Sequence, residues 1–316
     1  MRRLRVALFL SGLLTTSVVR SQVIPAQYQS ANYQFGIGSD TMTLFPPSGK
    51  TIAIKLPFRL SDATFGPDGK SIYGTIFDPE ATVRPDPAGL SRIDLNSPHA
   101  TVIPGSIGFL IKSFAVSSHQ DKVVISGSRQ DTNGWRCGVF DVPIPVGDAK
   151  QILSADCHNQ WSWDKLSLSP NGEQAVATVG SNANHDLHLE LLDLVHGTTK
   201  SLGGEFWIGA WSPDGKWIAA RWNGRGDKLF LIDATNFSRR RALGQADVLM
   251  PQWSPDSRYL LLWKGYLFRC GYHPDLEAPA TLETLDIETG KRSTIKSSRC
   301  QIDRGTTGWV SQGIAR

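Results

Sequence analysis

The sequence writes one decapeptide twice. Trp211–Ala220 reads WSPDGKWIAA, and forty-two residues later Trp253–Leu262 reads WSPDSRYLLL. Pro213 presets φ, Asp214 can hydrogen-bond its own backbone, and Gly215 accepts positive φ, so the centre of the motif is a tight turn. The flanks, Phe206–Trp211 and Lys216–Ala220, are mostly apolar and strand-like. Strand, turn, strand is a β-hairpin. Weaker copies are FGPDGKSIYG from Phe65, LSPNGEQAVA from Leu168 and the degenerate VSSHQDKVVI from Val116. The anchors Phe65, Val116, Leu168, Trp211 and Trp253 stand 51, 52, 43 and 42 residues apart.

A second echo follows each hairpin. Asp94, Asp141, Asp193, Asp233 and Asp286 each end an apolar run that enters a turn and is followed by another short strand. The repeating unit is therefore four strands, A to D, in about 42–52 residues, the size of one β-propeller blade. The ends of the chain complement each other. Tyr33–Gly38, Thr41–Phe45 and Thr51–Leu56 read as strands B, C and D without an A, and Thr307–Ser311, around Trp309, reads as an A without a B. Joining them closes a ring and leaves no bare sheet edge between the termini. The expectation is an all-β protein, a six-bladed β-propeller of four-stranded antiparallel blades over residues 22–316. Trp211 and Trp253 are expected between neighbouring blades, with Asp214 holding its turn.

WSPDGKWIAA followed by LFLIDATN resembles the WD40-like repeat of TolB-type propellers, a bacterial periplasmic family that is usually six-bladed. The resemblance spans essentially the whole mature chain, closely in two repeats, moderately in two and poorly in two. It implies the fold and not a function, because this repeat is reused in unrelated contexts. The domain that precedes the propeller in TolB has no room here.

Residues 1–21 read as a secretory signal peptide. Three arginines occur within the first five residues, an apolar run covers Val6–Val19, and Val19-Arg20-Ser21 places small residues at the −3 and −1 positions of a cut after Ser21. The run is too short to span a bilayer comfortably. The expected location is periplasmic or extracellular, with no membrane insertion after cleavage. The full chain has 33 basic and 29 acidic residues, for a net charge of +4. Arg2, Arg3, Arg5 and Arg20 leave with the signal, so the mature chain balances at zero and gives no reason to expect nucleic acid as a partner. Four cysteines suit an oxidising compartment. They allow three pairings. The repeat places the start of strand C beside the end of strand D, which favours Cys137–Cys157 and Cys270–Cys300.

Catalytic signatures are absent from the sequence: no HExxH, GxSxG, P-loop or GxGxxG. His185 and His188 lie three apart, a spacing that points to opposite faces of a strand. Arg225-Gly226-Asp227 reads as turn chemistry, Asn236-Phe237-Ser238 as a sequon that matters only in a glycosylating host, and Arg239-Arg240-Arg241 as a solvated turn. No cofactor and no metal is expected.

Topology supplies the remaining signal. In a propeller the D–A and B–C connections share one face, and the A–B and C–D turns share the other. The D–A segments carry Phe58, Arg59, Phe109, Trp161, Trp163, Phe206, Trp207, Asp303 and Arg304, and long B–C insertions run over Phe77–Gly89 and Lys264–Pro279. Aromatic and arginine side chains carry most interface energy, so these nine residues are the candidate partner-binding set. Two function classes stay open. The preferred one is an exported, monomeric, non-enzymatic scaffold that recognises a protein or glycan. The alternative is a hydrolase or lyase acting on a glycan or peptide at the channel mouth, for which Asp62, Asp164, Glu205, Asp247 and Asp303 are the available carboxylates.

Overall fold

The computed structural model describes residues 28–35, 40–45, 52–56, 60–76, 89–97, 99–157, 163–180, 187–203, 206–222, 228–245, 251–264, 279–299 and 304–315. Six four-stranded antiparallel sheets form the blades of a propeller. Blade 1 holds β1 (Tyr28–Phe35), β2 (Thr41–Phe45) and β3 (Ile52–Lys55); blade 2 holds β4 (Leu60–Phe65), β5 (Ser71–Ile76), β6 (Ser91–Asp94) and β7 (Ala100–Val102). Blade 3 holds β8 (Phe109–Val116), β9 (Lys122–Asp131), β10 (Gly134–Pro143) and β11 (Lys150–Ala155); blade 4 holds β12 (Asp164–Leu168), β13 (Gln174–Val179), β14 (His188–Asp193) and β15 (Thr198–Ser201). Blade 5 holds β16 (Phe206–Trp211), β17 (Trp217–Trp222), β18 (Lys228–Asp233) and β19 (Arg240–Gln245). Blade 6 holds β20 (Gln252–Trp253), β21 (Tyr259–Lys264), β22 (Pro279–Asp286) and β23 (Arg292–Arg299), and β24 (Arg304–Ala315) returns to blade 1.

The ring closes as the complementary ends require. β24 pairs antiparallel with β1, Ser311 opposite Tyr28 and Arg304 opposite Phe35. The B strand of this composite blade begins at Tyr28, five residues before the sequence-predicted start. Polarity does not mark that start, because Gln29 is polar yet buried.

Strand alternation gives each blade two apolar faces, and the core is divided accordingly. Six buried clusters fill the six joints between blades. The joint between blades 6 and 1 is closed by Phe45, Tyr259, Leu261, Leu282 and Trp309. Tryptophans stitch successive A strands as well: Trp253 Nε1 donates to the Ala210 carbonyl at 2.9 Å, and Trp309 Nε1 to the Gln252 carbonyl at 3.2 Å. Trp211 and Trp253 are buried in the joints of blade 5, with blade 4 and blade 6 respectively.

The repeated turn works by a short hydrogen-bond relay. Ser212 Oγ donates to Asp214 Oδ1 at 2.7 Å and accepts from Trp217 N at 2.9 Å, while Asp214 Oδ1 accepts from Lys216 N at 3.1 Å. Gly215 follows at φ +74. Blade 4 runs the same relay through Ser169 and Asn171. In blade 2 a glycine, Gly66, replaces the serine, and Ser71 supplies the missing hydroxyl, donating to Asp68 Oδ1 at 2.9 Å. A Cβ on Gly66 would collide with that Oγ. The degenerate blade 3 copy keeps the serine and shifts the acid by two residues, so that Ser117 Oγ donates to Asp121. The C–D echo has a parallel role: Asp193, Asp233 and Asp286 each accept two backbone N–H groups of the following turn.

The arginine run is more than a solvated turn. Arg240 Nη2 donates to the Leu202 carbonyl of blade 4 at 3.1 Å, and Arg241 Nη2 to the Ile287 carbonyl of blade 6 at 2.7 Å. Both guanidiniums are therefore committed to inter-blade contacts.

Trp253→Ala removes a ring buried between blades 5 and 6 and its hydrogen bond, and is expected to cost about 3–5 kcal/mol in chemical denaturation. A second expectation concerns acid. Burial works to raise the Asp214 carboxyl, but hydrogen bonds from Ser212 and Lys216 outweigh it and hold the group below the usual carboxylate range. At Asp286 burial likewise opposes the bonds from Thr289 and Arg258, again with a net lowering. Hydrogen bonds from Thr235 lower Asp233. Groups lowered in the folded state add stability while ionised and lose it as pH falls through their folded values. The unfolding free energy is expected to hold level above about pH 5 and to fall progressively below about pH 4, read by denaturation across pH. Asp214→Asn is expected to flatten part of that slope.

Candidate functional site: the face of the D–A and B–C connections

The A strands start on one face, and there the ladder to strand B slips. In blade 2 the register shifts between Leu60 and Ala63, in blade 3 between Ile111 and Ser113, in blade 4 between Asp164 and Ser167, and in blade 5 between Phe206 and Ile208. A bulge inserts one residue and re-aims its side chain. The inserted positions include Lys112, Lys165 at φ +51, and Trp207.

Trp207 is half-buried, and the Arg221 guanidinium sits 4.6 Å from its ring centre. Its carbonyl accepts the Thr178 hydroxyl of blade 4. Its indole Nε1 is buried with no hydrogen-bond partner among the described residues. Trp163 is also half-buried, and its Nε1 donates to Glu190 Oε2 at 3.1 Å. The other Glu190 oxygen faces His188 Nε2 at 3.3 Å.

Two of the sequence-predicted residues leave the set. Phe109 and Phe206 are 2 % and 1 % exposed. Phe109 packs edge-on against Phe140 at 4.8 Å, and Phe206 against Phe230 at 5.7 Å. They fill joints between blades because the first apolar residue of an A strand is where the neighbouring blade's B and C strands need a ring. Phe58, Arg59, Trp161 and Asp303 lie outside the described residues, and Arg304 is described only as the backbone start of β24. Glu205 and Asp247 also lie outside them, and Asp62 is described only as backbone within β4. Asp164, the one carboxylate of that set with a described side chain, accepts the Lys165 N–H at 2.7 Å.

Blade 3 adds a feature that sequence reasoning missed. β9 and β10 are ten residues each and form a long hairpin on this face, with Asp131 opposite Gly134 at its tip. Trp135 stands just past the turn and is 51 % exposed. The signal was present: Asn133-Gly134 between two β-rich runs is a strong hairpin cue, and it puts the next residue at the tip. The disulfide Cys137–Cys157 ties this hairpin to the segment after β11, with Cys137 opposite Ala155. That pairing is the one read from the repeat. Cys270 and Cys300 lie outside the described residues.

The opposite end of the channel is different in kind. Its cavity of about 290 Å³ is lined by all six A strands, with Pro67, Pro170, Pro213 and Pro255 around the rim and no charged side chain among the described lining. Among the described residues no group of three His, Cys, Asp or Glu side chains is gathered as for a metal ion.

The chain is a β-propeller, and its likeness to known proteins lies in that fold. No protein-family model matches the sequence, and no curated protein matches it. Among solved structures it superposes on TolB from Acinetobacter baumannii with a TM-score of 0.62 at 15% identity, covering 90% of this chain and 66% of that one. A protein assigned as TolB from Agrobacterium tumefaciens gives 0.58 at 13% identity, covering 90% and 98%. A chain of the nidogen/laminin complex gives 0.59 at 10% identity, again covering 90% and 98%. The architecture is thus that of TolB-like propellers, shared at identities that carry the fold alone.

Removing the blade 3 staple with Cys137→Ser and Cys157→Ser frees a loop of 20 residues. It is expected to cost about 3 kcal/mol, measured against the oxidised protein by denaturant titration.

Proposed function

We propose that this protein is an exported, non-enzymatic binding propeller that docks a protein or glycan partner on the face carrying the D–A and B–C connections. The observation that carries the reading is the asymmetry of the two faces. One presents terse, similar turns around a neutral proline rim. The other presents Trp135, 51 % exposed on a disulfide-stapled hairpin, together with half-buried Trp163 and Trp207 at the starts of two further blades. Rigid aromatic groups bind at low entropic cost because little is left to order on docking. A protein–protein complex among the structures that share this fold accords with a docking role. Export is supported by the basic, then apolar, then small-residue order of the first 21 residues and by the disulfide.

The test is capture of partners from the envelope fraction of the native cell by the immobilised protein. Trp135→Ala is expected to leave the melting temperature unchanged and to weaken capture by about thirtyfold, the effect of losing a hot spot worth about 2 kcal/mol. Arg59→Glu with Arg304→Glu is expected to weaken it further. Lys70→Ala, on an A–B turn, is the control and leaves capture intact. Unchanged capture by the Trp135 and arginine variants overturns the face assignment. Turnover of a glycan or peptide by the purified protein, abolished in Asp303→Asn, replaces the binding reading with the enzyme one.

A further inference from the structure

The blade 3 hairpin has a second side. Strand alternation puts Arg129 on the same side of β9 as Val123 and Ile125, and Arg136 on the same side of β10 as Phe140 and Val142. That side faces blade 2, since these apolar residues pack with Tyr73, Leu90 and Ile103. Arg129 and Arg136 are direct cross-strand partners. Above the packed layer lies a cleft of about 420 Å³, lined by Arg129, Asp131, Thr132, Arg136, Phe140 and Asp148 among others.

The two arginines differ in how they are used. Arg136 is engaged: its Nε and Nη2 both donate to Gln151 Oε1, at 3.0 and 2.8 Å, and its Nη1 lies 3.7 Å from Asp131 Oδ2. Arg129 is half-buried, and its guanidinium is parked 5.4 Å from the centre of the Phe109 ring. Among the described residues no hydrogen bond and no ion pair engages it. A cationic fork held against an aromatic face, half-buried and not engaged in an ion pair among the described residues, is prepared for a planar anion. The cleft around it lies in the size range of small-molecule sites, which is about 300–1,000 Å³.

The other charges in the cleft narrow the anion. Asp131 and Asp148 line it too, so a divalent phosphate would meet two carboxylates. A single carboxylate on a neutral polar body gains the Arg129 fork and brings the least repulsion. We propose that this cleft binds a small monocarboxylate, with Arg129 as the residue that receives the carboxylate in bidentate fashion. The site is distinct from the Trp135 anchor, because Trp135 points to the opposite side of the same hairpin.

A carboxylate of this kind can belong to a sugar acid or to an amino acid, and titration calorimetry on the full chain separates them. The probes are glucuronate, N-acetylalanine, methyl glucoside and inorganic phosphate. At least one of the two carboxylates is expected to bind, with phosphate weaker and methyl glucoside silent. Whichever carboxylate is tighter names the source. Arg129→Gln is expected to weaken carboxylate binding by tenfold or more, the loss of a charge-assisted pair. Arg129→Lys keeps a cation above Phe109 and is expected to fall between the two, which keeps the test valid if the glutamine variant is unstable. Trp135→Ala is expected to leave carboxylate affinity unchanged. Absence of carboxylate binding, equal affinity in both Arg129 variants and wild type, or phosphate binding as tight as carboxylate overturns the proposal. None of these results bears on partner capture, so the two readings fail separately.

Discussion

Everything in this protein depends on each blade burying both of its faces. A four-stranded sheet with one apolar face needs one cover; these sheets have two, and only a closed ring gives every face a neighbour. The six joint clusters are the outcome, and no one of them is large. Stability is spread around the ring as a series of similar contacts between adjacent units. That is why the sequence repeats a hairpin instead of a catalytic motif: what recurs is the part each blade needs to meet the next.

The same constraint explains where variation is permitted. A–B turns sit against one another around the narrow end of the channel, where Asp214 N reaches Ser257 Oγ and Ser118 Oγ reaches the Pro170 carbonyl. Changes there have to be compensated, as Ser71 compensates for Gly66. The D–A and B–C segments differ in length and chemistry from blade to blade in the sequence. The long hairpin of blade 3, with Trp135 on one side and Arg129 on the other, is one such variation.

Much of the fold was legible because the turn relay leaves a compact local trace, Ser-Pro-Asp-Gly, and because the ends were visibly incomplete. The disulfide in blade 3 followed from strand adjacency alone. The candidate site was legible only in part. Phe206 and Trp207 are adjacent aromatics in the run FWIGAW, and a run without alternation gives no phase. The bulge between Phe206 and Ile208 decides which ring is buried, and no sequence pattern announces it. Arg129 was invisible for another reason. Its significance is the absence of a hydrogen bond or ion pair among the described residues, and that is a property of the surroundings which packing alone reveals. Trp135 could have been found, from Asn133-Gly134, had the hairpin tip been weighed as heavily as the strand starts.

The strand that completes the ring is the last one described, and its contacts reach across nearly the whole chain: Ser311 bonds to Asp68, 243 residues away. Blades 2 to 6 are each made from one continuous stretch, so each can form as soon as its own residues are in place. Blade 1 cannot. Until β24 arrives, β1 offers a row of unpaired backbone groups, and blade 6 an uncovered apolar flank, to anything nearby. A chain that crosses a membrane before it folds would live through that interval with an open seam. The matching strand of another copy has the same shape as its own. Assembly of this ring is therefore a contest between closing on itself and clasping a neighbour, a contest that dilution tilts towards closure.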